Sequence, residues 1–511
     1  MTPPPLLIKR SDFLDNASSL LKENKFLCIL SELGNGKSVF MKELSFKLHL
    51  DGYEVYVLNM NNDNYISDID KFARTNRHIV LIIDSYGWCK DIVEYLIKIN
   101  PSNIKVIFSE RTMNHHAIVS DFNGEFITKD INIDELKSSE IEKLIKILDH
   151  LSLWGNKNSG LNDKQKFNLI KWKYDSQISM VLINLLKSDN INSKIKSLLS
   201  SLFEHKGMKK NIFVTCLLDS MGVPDIHMSI SLISDLSKNQ ELYNQIYKLK
   251  DLRYFISIDS RNKIKSKSSV FSHYLIKEQF DSNYVIDNCI FILSDLETRN
   301  GKTHNLDALR NSIRIFLLRY NFIEKILPDN DSKSTMLVKY FEEIKNKLPH
   351  IKNHPHYWLH YAMAQMAIYD YIKAGRYIEA AYSYANQFPE YDKRKIDNQN
   401  ARLKLLIACS QDVTETEEAM KLFLDADSIL SNQPNDIYKF KIVIDYFYFY
   451  KKWRDHLEQK QLQVIKKSAK NRFNDLSSFE TSDKKNNFKT EKIFEQCRKI
   501  LNDIINEIKD I

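Results

Sequence analysis

The sequence predicts a multi-domain protein in which an α/β domain with a parallel sheet precedes an all-helical half. Three observations lead to this fold class. A glycine-rich loop, "SELGNGKS" at 31–38, stands between a short apolar run and a segment with helical spacing. The apolar run "HIVLIID" at 78–84 is typical of a strand buried on both faces of a parallel sheet. Residues 283–470 show no strand alternation and almost no glycine, which predicts helices.

Length and composition restrict the possible classes of protein. With 511 residues the chain is long enough for several domains with sizeable cores. Six cysteines stand far apart without a CxxC pair, which argues against a disulfide framework and a structural zinc site. The N-terminus lacks a signal-peptide core, and no apolar run approaches the roughly 18 residues of a membrane helix. We therefore expect a cytoplasmic protein without a membrane partner.

The glycine-rich loop has the strand–loop–helix context of a Walker A motif, G-x-x-x-x-G-K-[ST], but Ser31 stands in place of the first glycine. Gly34 and Gly36 permit the backbone N–H groups to face a phosphate without a Cβ in the way. Lys37 is expected to reach the β- and γ-phosphates and Ser38 to ligate Mg²⁺. A chance G-x-G-K-S turn is the alternative. The residues of this segment predicted to bind nucleotide are Gly34, Asn35, Gly36, Lys37, Ser38 and Val39.

The second apolar run ends in Asp84, at the position of a Walker B aspartate that holds Mg²⁺. A strand-ending aspartate that caps the next helix is the alternative. Many ATPases carry a further carboxylate directly after this aspartate to orient the attacking water, but Ser85 follows here. Tight binding is therefore expected rather than fast hydrolysis.

A third strand is predicted at "IKVIFSER", 104–111. Arg111 at its end is a candidate for γ-phosphate contact, and Glu110 is a candidate for the missing catalytic carboxylate. With Asp84 they form the predicted catalytic set; a solvated strand end is the alternative. The adjacent histidines of "NHHA", 114–117, do not indicate a metal site, because neighbours on a helix point in different directions.

The order of these motifs resembles the STAND class of P-loop NTPases over residues 8–280. The segment "IKRSDFLDNASSLL" at 8–21 resembles the entry segment of that class, which packs against adenine, and Arg10 matches its arginine. The segment "FSHYLIKEQF" at 271–280 resembles the one that closes the winged-helix domain of bacterial members. The resemblance implies that His273 senses the bound nucleotide; a buried structural histidine is the alternative.

The resemblance and the sequence pattern together predict five segments. They are a P-loop NTPase core at 1–130, a helical lid at 131–192, a winged-helix domain at 193–282, TPR-like helical repeats at 283–470, and a polar linker with a terminal helix at 471–511.

Two stretches of the helical half carry specific predictions. In "IYDYIKAGRYIEAAYSYANQF", 368–388, the tyrosines and small residues have the spacing of a TPR unit, with Gly375 expected at the turn. Units of this kind bury their apolar faces by stacking into a solenoid. The aromatic and basic stretch "YFYFYKKWR", 446–454, is predicted to pack in the solenoid core; a stacking platform for single-stranded nucleic acid is the alternative.

These inferences favour an ATP-gated signalling switch that uses ATP or ADP and Mg²⁺. The resemblance implies bacterial anti-phage defence or a stress response, opening and self-association on nucleotide exchange, and a protein trigger or effector bound by the TPR-like half. The alternative is a DNA-binding ATPase of the origin-recognition or helicase-loader kind. The net charge of +8 and the basic stretch "RNKIKSKSS", 261–269, permit nucleic-acid contact without requiring it.

Overall fold

The computed structural model describes residues 7–508, except for the following positions: 59–64, 123–125, 127, 225–226, 260–261, 299–303, 331, 389–390 and 482–487. The chain divides into two compact units, with the boundary between Asp281 and Ser282. Each unit is described separately below.

The first unit contains a five-stranded parallel sheet with the strand order β2-β3-β4-β1-β5. The strands are β1 Phe26–Leu30, β2 Glu54–Val57, β3 Ile79–Asp84, β4 Ile104–Glu110 and β5 Lys129–Asn132. The three strands predicted from the sequence are thus confirmed as β1, β3 and β4. Because β4 lies between β1 and β3, the ends of these three strands come together at one edge of the sheet. The strands β2 and β5 were not predicted.

Helices cover both faces of this sheet, which explains why its central strands are continuously apolar. The helices are α1 Ser11–Glu23, α2 Lys37–Leu50, α3 Tyr65–Ala73, α4 Lys90–Ile99 and α5 Thr112–Asp121. Strand alternation divides β1 between two cores. Cys28 and Leu30 face the cluster that contains the α4 residues, whereas Leu27 and Ile29 face the cluster of α1 and α2.

A helical region and a two-stranded hairpin complete the first unit. In chain order its elements are α6 Ser138–His150, α7 Gly155–Asn158, α8 Asp163–Asn168, α9 Ile178–Leu186, α10 Asp189–Phe203, α11 Met208–Met221, α12 Ile230–Ser237, α13 Leu242–Lys248, β6 Ile256–Ile258, β7 Ile264–Ser266 and α14 Ser269–Gln279. β6 and β7 pair antiparallel. The domain boundaries themselves stay predictions.

The described residues of the second unit form helices and no strand. These helices are α15 Ser282–Thr298, α16 His304–Leu318, α17 Tyr320–Ile326, α18 Lys333–Lys347, α19 Pro355–Ala367, α20 Tyr371–Ala385, α21 Arg394–Ala408, α22 Thr416–Ser431, α23 Ile437–Val443, α24 Tyr446–Trp453, α25 Gln459–Thr481 and α26 Phe488–Glu507. Sequential helices pack as pairs, α19 with α20 and α21 with α22. Alternate helices also touch, because α17 contacts α19, α19 contacts α21, and α21 contacts α23. These four helices therefore form one layer of a helical stack.

Two details of the second unit differ from the prediction. Gly375 lies inside α20, so its assignment to a turn is wrong; the turn before this helix uses Tyr369, whose φ is 63°. The polar linker predicted within 471–511 is also wrong for the described residues up to Thr481, because α25 continues to that residue. The apolar α25 residues Ile465, Ala469 and Leu476 lie at helical spacing and are buried. One face of this largely polar helix therefore packs against the hydrophobic core.

The aromatic stretch at 446–454 packs in the core as predicted. Tyr446, Phe449, Tyr450 and Trp453 are buried in one hydrophobic cluster, and the Trp453 indole N–H donates to the Ala408 carbonyl at 2.8 Å. Only Tyr448 of the described aromatic side chains in this stretch is largely exposed. The buried faces are therefore not available to stack on nucleic-acid bases.

We predict that Gly375→Ala stabilises the second unit by about 0.5–1 kcal/mol, because alanine in a helix loses less chain entropy than glycine. There is room for the methyl group, since a Cβ at this position would lie 4.0 Å from Leu403 Cδ2. Denaturant unfolding measures the change. Ala374→Gly, at the preceding buried position, should lower the free energy of unfolding; a destabilising Gly375→Ala would contradict the helical placement.

Candidate nucleotide-binding site

The glycine-rich loop joins β1 to α2 at the edge of the sheet where the strands end. Gly34 and Gly36 have φ angles of 81° and 89°, which favour glycine, and α2 begins at Lys37. No side chain caps this helix, and its first turn holds no acidic residue. The positive end of the helix dipole is therefore available to an anion. Ser38 and Val39 in this first turn are exposed.

The buried carboxylate of Asp134 fixes the conformation of the glycine-rich loop through hydrogen bonds. Its Oδ1 atom accepts hydrogen bonds from the Ser31 hydroxyl at 3.1 Å, the Glu32 backbone N–H at 2.5 Å and the Asn35 side-chain amide at 2.9 Å. Its Oδ2 atom accepts from the Asn132 side-chain amide at 3.2 Å. The serine that replaces the first glycine of the motif thus makes a hydrogen bond that glycine cannot make.

The Lys37 ammonium group lies against the predicted magnesium ligand. Its Nζ atom is 2.6 Å from Asp84 Oδ1 and 3.0 Å from the Ser109 hydroxyl, which also donates to Asp84. Partial loss of contact with water raises the pKa of Asp84. The positive charge of Lys37 and the hydrogen bonds from Lys37 and Ser109 lower it by more, so the pKa lies below its usual value. The carboxylate is therefore ionised at neutral pH, while 52% of the side chain stays exposed.

The exposed oxygens of Asp84 and Ser38 suit Mg²⁺, which prefers hard oxygen ligands and retains several waters. A bound triphosphate offers Lys37 a stronger anionic partner than one carboxylate. Lys37 and Asp84 would then separate, with the lysine on the phosphates and the aspartate on the ion. When bound, Mg²⁺ neutralises charge on the phosphate oxygens.

Arg111, the predicted γ-phosphate contact, is bound to a different element. Its guanidinium donates to the backbone carbonyls of Asp219, at 2.9 Å, and Ser220, which end α11. These carbonyls belong to the negative end of a helix dipole, so a cation is stabilised there. Burial lowers the pKa of Arg111, with Asp219 and Glu110 opposing. Its contact with nucleotide stays a prediction.

Glu110, the candidate catalytic carboxylate, is 3% exposed and holds backbone. One carboxylate oxygen accepts from the Gly87 N–H at 3.0 Å, and the other accepts from the Arg111 N–H at 2.8 Å. These bonds fix the turn after Asp84 against the end of β4. The arrangement gives Glu110 a structural task, and its catalytic role stays a prediction.

Two elements of the helical region cover the loop. The Ser179 N–H at the start of α9 donates to Asn35 Oδ1 at 3.0 Å. On α14, Val270 packs so closely on Gly34 that a Cβ there would lie 1.8 Å from Val270 Cγ2. His273 is buried and follows Val270 by three residues, so both lie on the face of α14 that meets the loop. Its role as a nucleotide sensor stays a prediction.

Arg10, the predicted adenine-side residue, is buried at the start of α1. Its guanidinium donates to the backbone carbonyls of Ile133 and Glu135 and pairs with Glu140 at 3.3 Å. It therefore fixes the chain on both sides of Asp134. Burial lowers the pKa of Arg10, with Glu140 opposing. Direct contact with nucleotide stays a prediction.

Cys28, Tyr86, His115 and Asp130 form a polar cluster that the sequence did not predict. His115 Nδ1 is 2.8 Å from the Tyr86 hydroxyl and 3.4 Å from Cys28 Sγ, and its Nε2 atom is 2.9 Å from Asp130 Oδ2. The side chains of Cys28, His115 and Asp130 are close enough to hold a metal ion. However, Tyr86 and Asp130 already satisfy the two ring nitrogens, and burial raises the pKa of Cys28, which opposes the thiolate that a metal needs. We interpret the cluster as structural.

Comparison with known proteins supports this reading of the first unit. Residues 10–145 match the family model described as "Novel STAND NTPase 3". The match spans all five strands and both Walker segments, so it supports a STAND-type NTPase that binds nucleotide. No curated protein matches the chain. Among the described residues, no helix is both long and apolar enough to cross a membrane.

We predict that Lys37→Ala weakens ATP binding at least about tenfold, because a charge-assisted hydrogen bond contributes roughly 1.5–3 kcal/mol. Titration with fluorescent ATP measures the loss. Lys42→Ala removes an exposed lysine of the same helix and should bind like the wild type. Equal affinity of Lys37→Ala and wild type would show that the loop does not hold the phosphates.

We also predict that Ser31→Gly, which restores the usual motif, lowers the free energy of unfolding by about 1 kcal/mol. The change removes the hydroxyl bond to buried Asp134 and adds chain entropy to the unfolded state. Thermal and denaturant unfolding measure the effect, with Ser31→Ala to separate the hydroxyl from backbone freedom. A more stable Ser31→Gly would contradict the role given to Asp134.

Proposed function

We propose that this protein is an ATP-binding signalling switch of the STAND type. The observation that carries the proposal is the contact of Val270 with Gly34, because it puts α14 directly on the phosphate-binding loop. Nucleotide binding and the position of α14 are therefore coupled by sterics. A helix packed on the loop gives a bound nucleotide something to displace, which a switch requires.

We call the arrangement in which α14 covers the loop the closed form. Three contacts of the closed form can change when a nucleotide binds. They are Val270 on Gly34, the Ser179 N–H on Asn35, and Arg111 on the end of α11. The Ser269 hydroxyl also donates to Asp219 Oδ1 at 3.0 Å, so α14 and α11 are joined where Arg111 binds. Transfer of Arg111 from these carbonyls to a γ-phosphate would release α11 and α14 together.

The free energy needed to shift such a switch is within the range that a few new contacts to the nucleotide can supply. Moving a two-state equilibrium from 1:99 to 99:1 takes about 5.5 kcal/mol of differential binding. Charge-assisted hydrogen bonds contribute roughly 1.5–3 kcal/mol each. New bonds from Lys37 and Arg111 to the terminal phosphate, with Mg²⁺ on Asp84 and Ser38, are therefore of the right size. Rapid hydrolysis is not needed for such a switch.

The biological part of the proposal follows from the resemblance to STAND proteins. Opening would favour self-association, and the helical half would bind a protein trigger or effector. Bacterial anti-phage defence or a stress response is the setting we propose. The stacked layer of α17, α19, α21 and α23 supports the sensor assignment, because helical stacks offer extended surfaces to protein ligands.

A DNA-binding ATPase is the second candidate, and one observation favours it. Lys265 on β7 and Lys267 directly after it are exposed. Phosphate contacts would give a steep fall of DNA affinity with salt. A titration of duplex DNA against the whole protein at several salt concentrations tests this candidate. Lys265→Gln should reduce the salt slope if the hairpin binds DNA and should change nothing if the protein is a switch.

We predict that Val270→Asp speeds the release of fluorescent ADP by on the order of tenfold or more, because the closed form would bury an unpaired charge. Aspartate is tolerated in the first turn of a helix, so α14 itself should persist. Stopped-flow displacement measures the rate. Val57→Asp places the same charge at an exposed site, 63% accessible, and should leave the rate unchanged. Equal rates for all three proteins would contradict gating by α14.

A further inference from the structure

Exposed tyrosines on one segment of the first unit have no part in the proposed switch. Tyr243 and Tyr247 lie on α13, and Tyr254 ends the 3₁₀ turn Lys250–Tyr254 that follows this helix. They are 52%, 53% and 61% exposed, in that order. The rings of Tyr243 and Tyr247 are 5.2 Å apart and tilted by 59°, so each ring presents its own face. Aromatic groups that are gathered at the surface in this way indicate a binding surface.

The tyrosine pair is held in place by its neighbours. Leu242 and Ile246, on the other side of α13, are buried and attach the helix to the unit. The Tyr247 hydroxyl donates to Asn262 Oδ1 at 3.0 Å, in the connection between β6 and β7. The rings are therefore ordered before a ligand arrives, which lowers the entropy that binding costs.

The side chains around these tyrosines are mainly cationic. In the described part of 241–267 there are six cationic and three acidic side chains. Lys248, Lys250, Arg253 and Lys267 are exposed, and none of the four forms an ion pair within the described part of the chain. The Lys267 backbone N–H donates to the Phe255 carbonyl at 3.3 Å, so the end of β7 lies beside the 3₁₀ turn that ends in Tyr254. Exposed rings and positive charge thus share one surface.

A single strand of nucleic acid matches both properties. Each nucleotide carries one flat aromatic base and one phosphate charge, whereas an acidic peptide brings charge without such rings. A base stacked on an aromatic side chain contributes roughly five- to 150-fold in affinity. Bases in a duplex already stack on one another, so only a single strand offers their faces to the tyrosines.

Neutral polar groups beside the rings favour RNA over DNA. Asn244, on α13 between the two tyrosines, is exposed and offers both a donor and an acceptor. The exposed Asn262 uses its amide oxygen for Tyr247, which leaves its amide nitrogen as a donor. A ribose 2′-hydroxyl both donates and accepts hydrogen bonds, and DNA lacks this group.

We propose that the surface formed by Tyr243, Tyr247, Tyr254 and the cationic side chains around them binds single-stranded RNA. Bases stack on the rings, and phosphates meet the exposed lysines and Arg253. This inference does not depend on the proposed switch, because the surface includes no residue of the nucleotide site. It also differs from the duplex-DNA candidate, because the tyrosines need unpaired bases.

The test uses the whole protein and a fluorescein-labelled uridine oligonucleotide of about twelve nucleotides, with binding followed by fluorescence anisotropy. The double variant Tyr243→Ala/Tyr247→Ala should bind at least about twentyfold more weakly, because two stacked bases are lost. Tyr243→Phe/Tyr247→Phe keeps both rings and should bind within about threefold of the wild type. Tyr448→Ala is the matched control, since Tyr448 is 59% exposed on α24 and two lysines follow it in the next turn. Circular dichroism verifies that all variants are folded.

The salt dependence separates the cations from the rings. Lys248→Gln should reduce the slope of log affinity against log salt by about 0.7, the value for one phosphate contact of a single strand. The tyrosine variants should lower the affinity and leave this slope unchanged. A slope that is equal in wild type and in Lys248→Gln would contradict the phosphate contact assigned to this surface.

Two further oligonucleotides test the choice of ligand. The deoxyuridine oligonucleotide of the same length and the duplex of the uridine strand with its complement should both bind more weakly than the single-stranded RNA. Equal or tighter binding of either one overturns the proposal, as does absence of RNA binding or equal loss in the Tyr448→Ala control. ATP affinity is measured on the same samples. Intact ATP binding without RNA binding refutes only this inference, whereas RNA binding without ATP binding refutes only the proposed switch.

Discussion

The glycine-rich loop of this protein depends on one buried carboxylate, that of Asp134. A loop that presents its backbone N–H groups to a ligand must obtain its own rigidity from elsewhere. Asp134 supplies it by gathering Ser31, Glu32 and Asn35 onto one oxygen atom. Pairing of β5 with β1 brings the chain that carries Asp134 beside the start of the loop. The position of Asp134 thus depends on the strand that closes this side of the sheet.

The same small region also contacts helices that follow the sheet in the chain. Asn35 donates to Asp134 through its amide nitrogen and accepts from the Ser179 N–H through its amide oxygen. Arg10 holds the backbone on both sides of Asp134 and pairs with Glu140 of α6. Asn35 therefore links the loop to α9, and Arg10 links the backbone around Asp134 to α6. A ligand that shifts the loop by a fraction of an ångström would disturb these bonds, because packed interiors do not deform continuously.

The parts of this site that the sequence could predict are those with a local signal. The glycine-rich loop is a recognisable motif. The strands β3 and β4 are continuous apolar runs that end in the candidate residues Asp84 and Glu110. β2 and β5 are short and only partly apolar, so their strand signal is weak. Asp134 and Ser109 act on residues far away in the chain, and no spacing reveals such partners. Gly375 was assigned to a turn from a repeat pattern, but the helix propensity of its neighbours prevails.

Arg111 shows why a correctly located residue still needs a structure to be understood. The sequence places it at the end of β4, beside the loop, and β4 does lie between β1 and β3. Its partners, the last carbonyls of α11, follow it by more than a hundred residues. A guanidinium has a fixed fork of donors, so full engagement of a phosphate competes with these carbonyls. Arg111, the proposed γ-phosphate contact, is thus also the residue that joins the end of β4 to the end of α11.

In the proposed switch, this competition would have a thermodynamic consequence for a partner of the helical half. If ATP favours the open form and a trigger also favours it, each must tighten the binding of the other by the same factor. Neither ligand then has to supply the whole free energy of opening. A tenfold mutual effect corresponds to about 1.4 kcal/mol, within the range of measured allosteric couplings. In the proposed switch, the contact of Val270 with the loop and the hold of α11 on Arg111 would set the free energy of opening, to which nucleotide and trigger would both contribute.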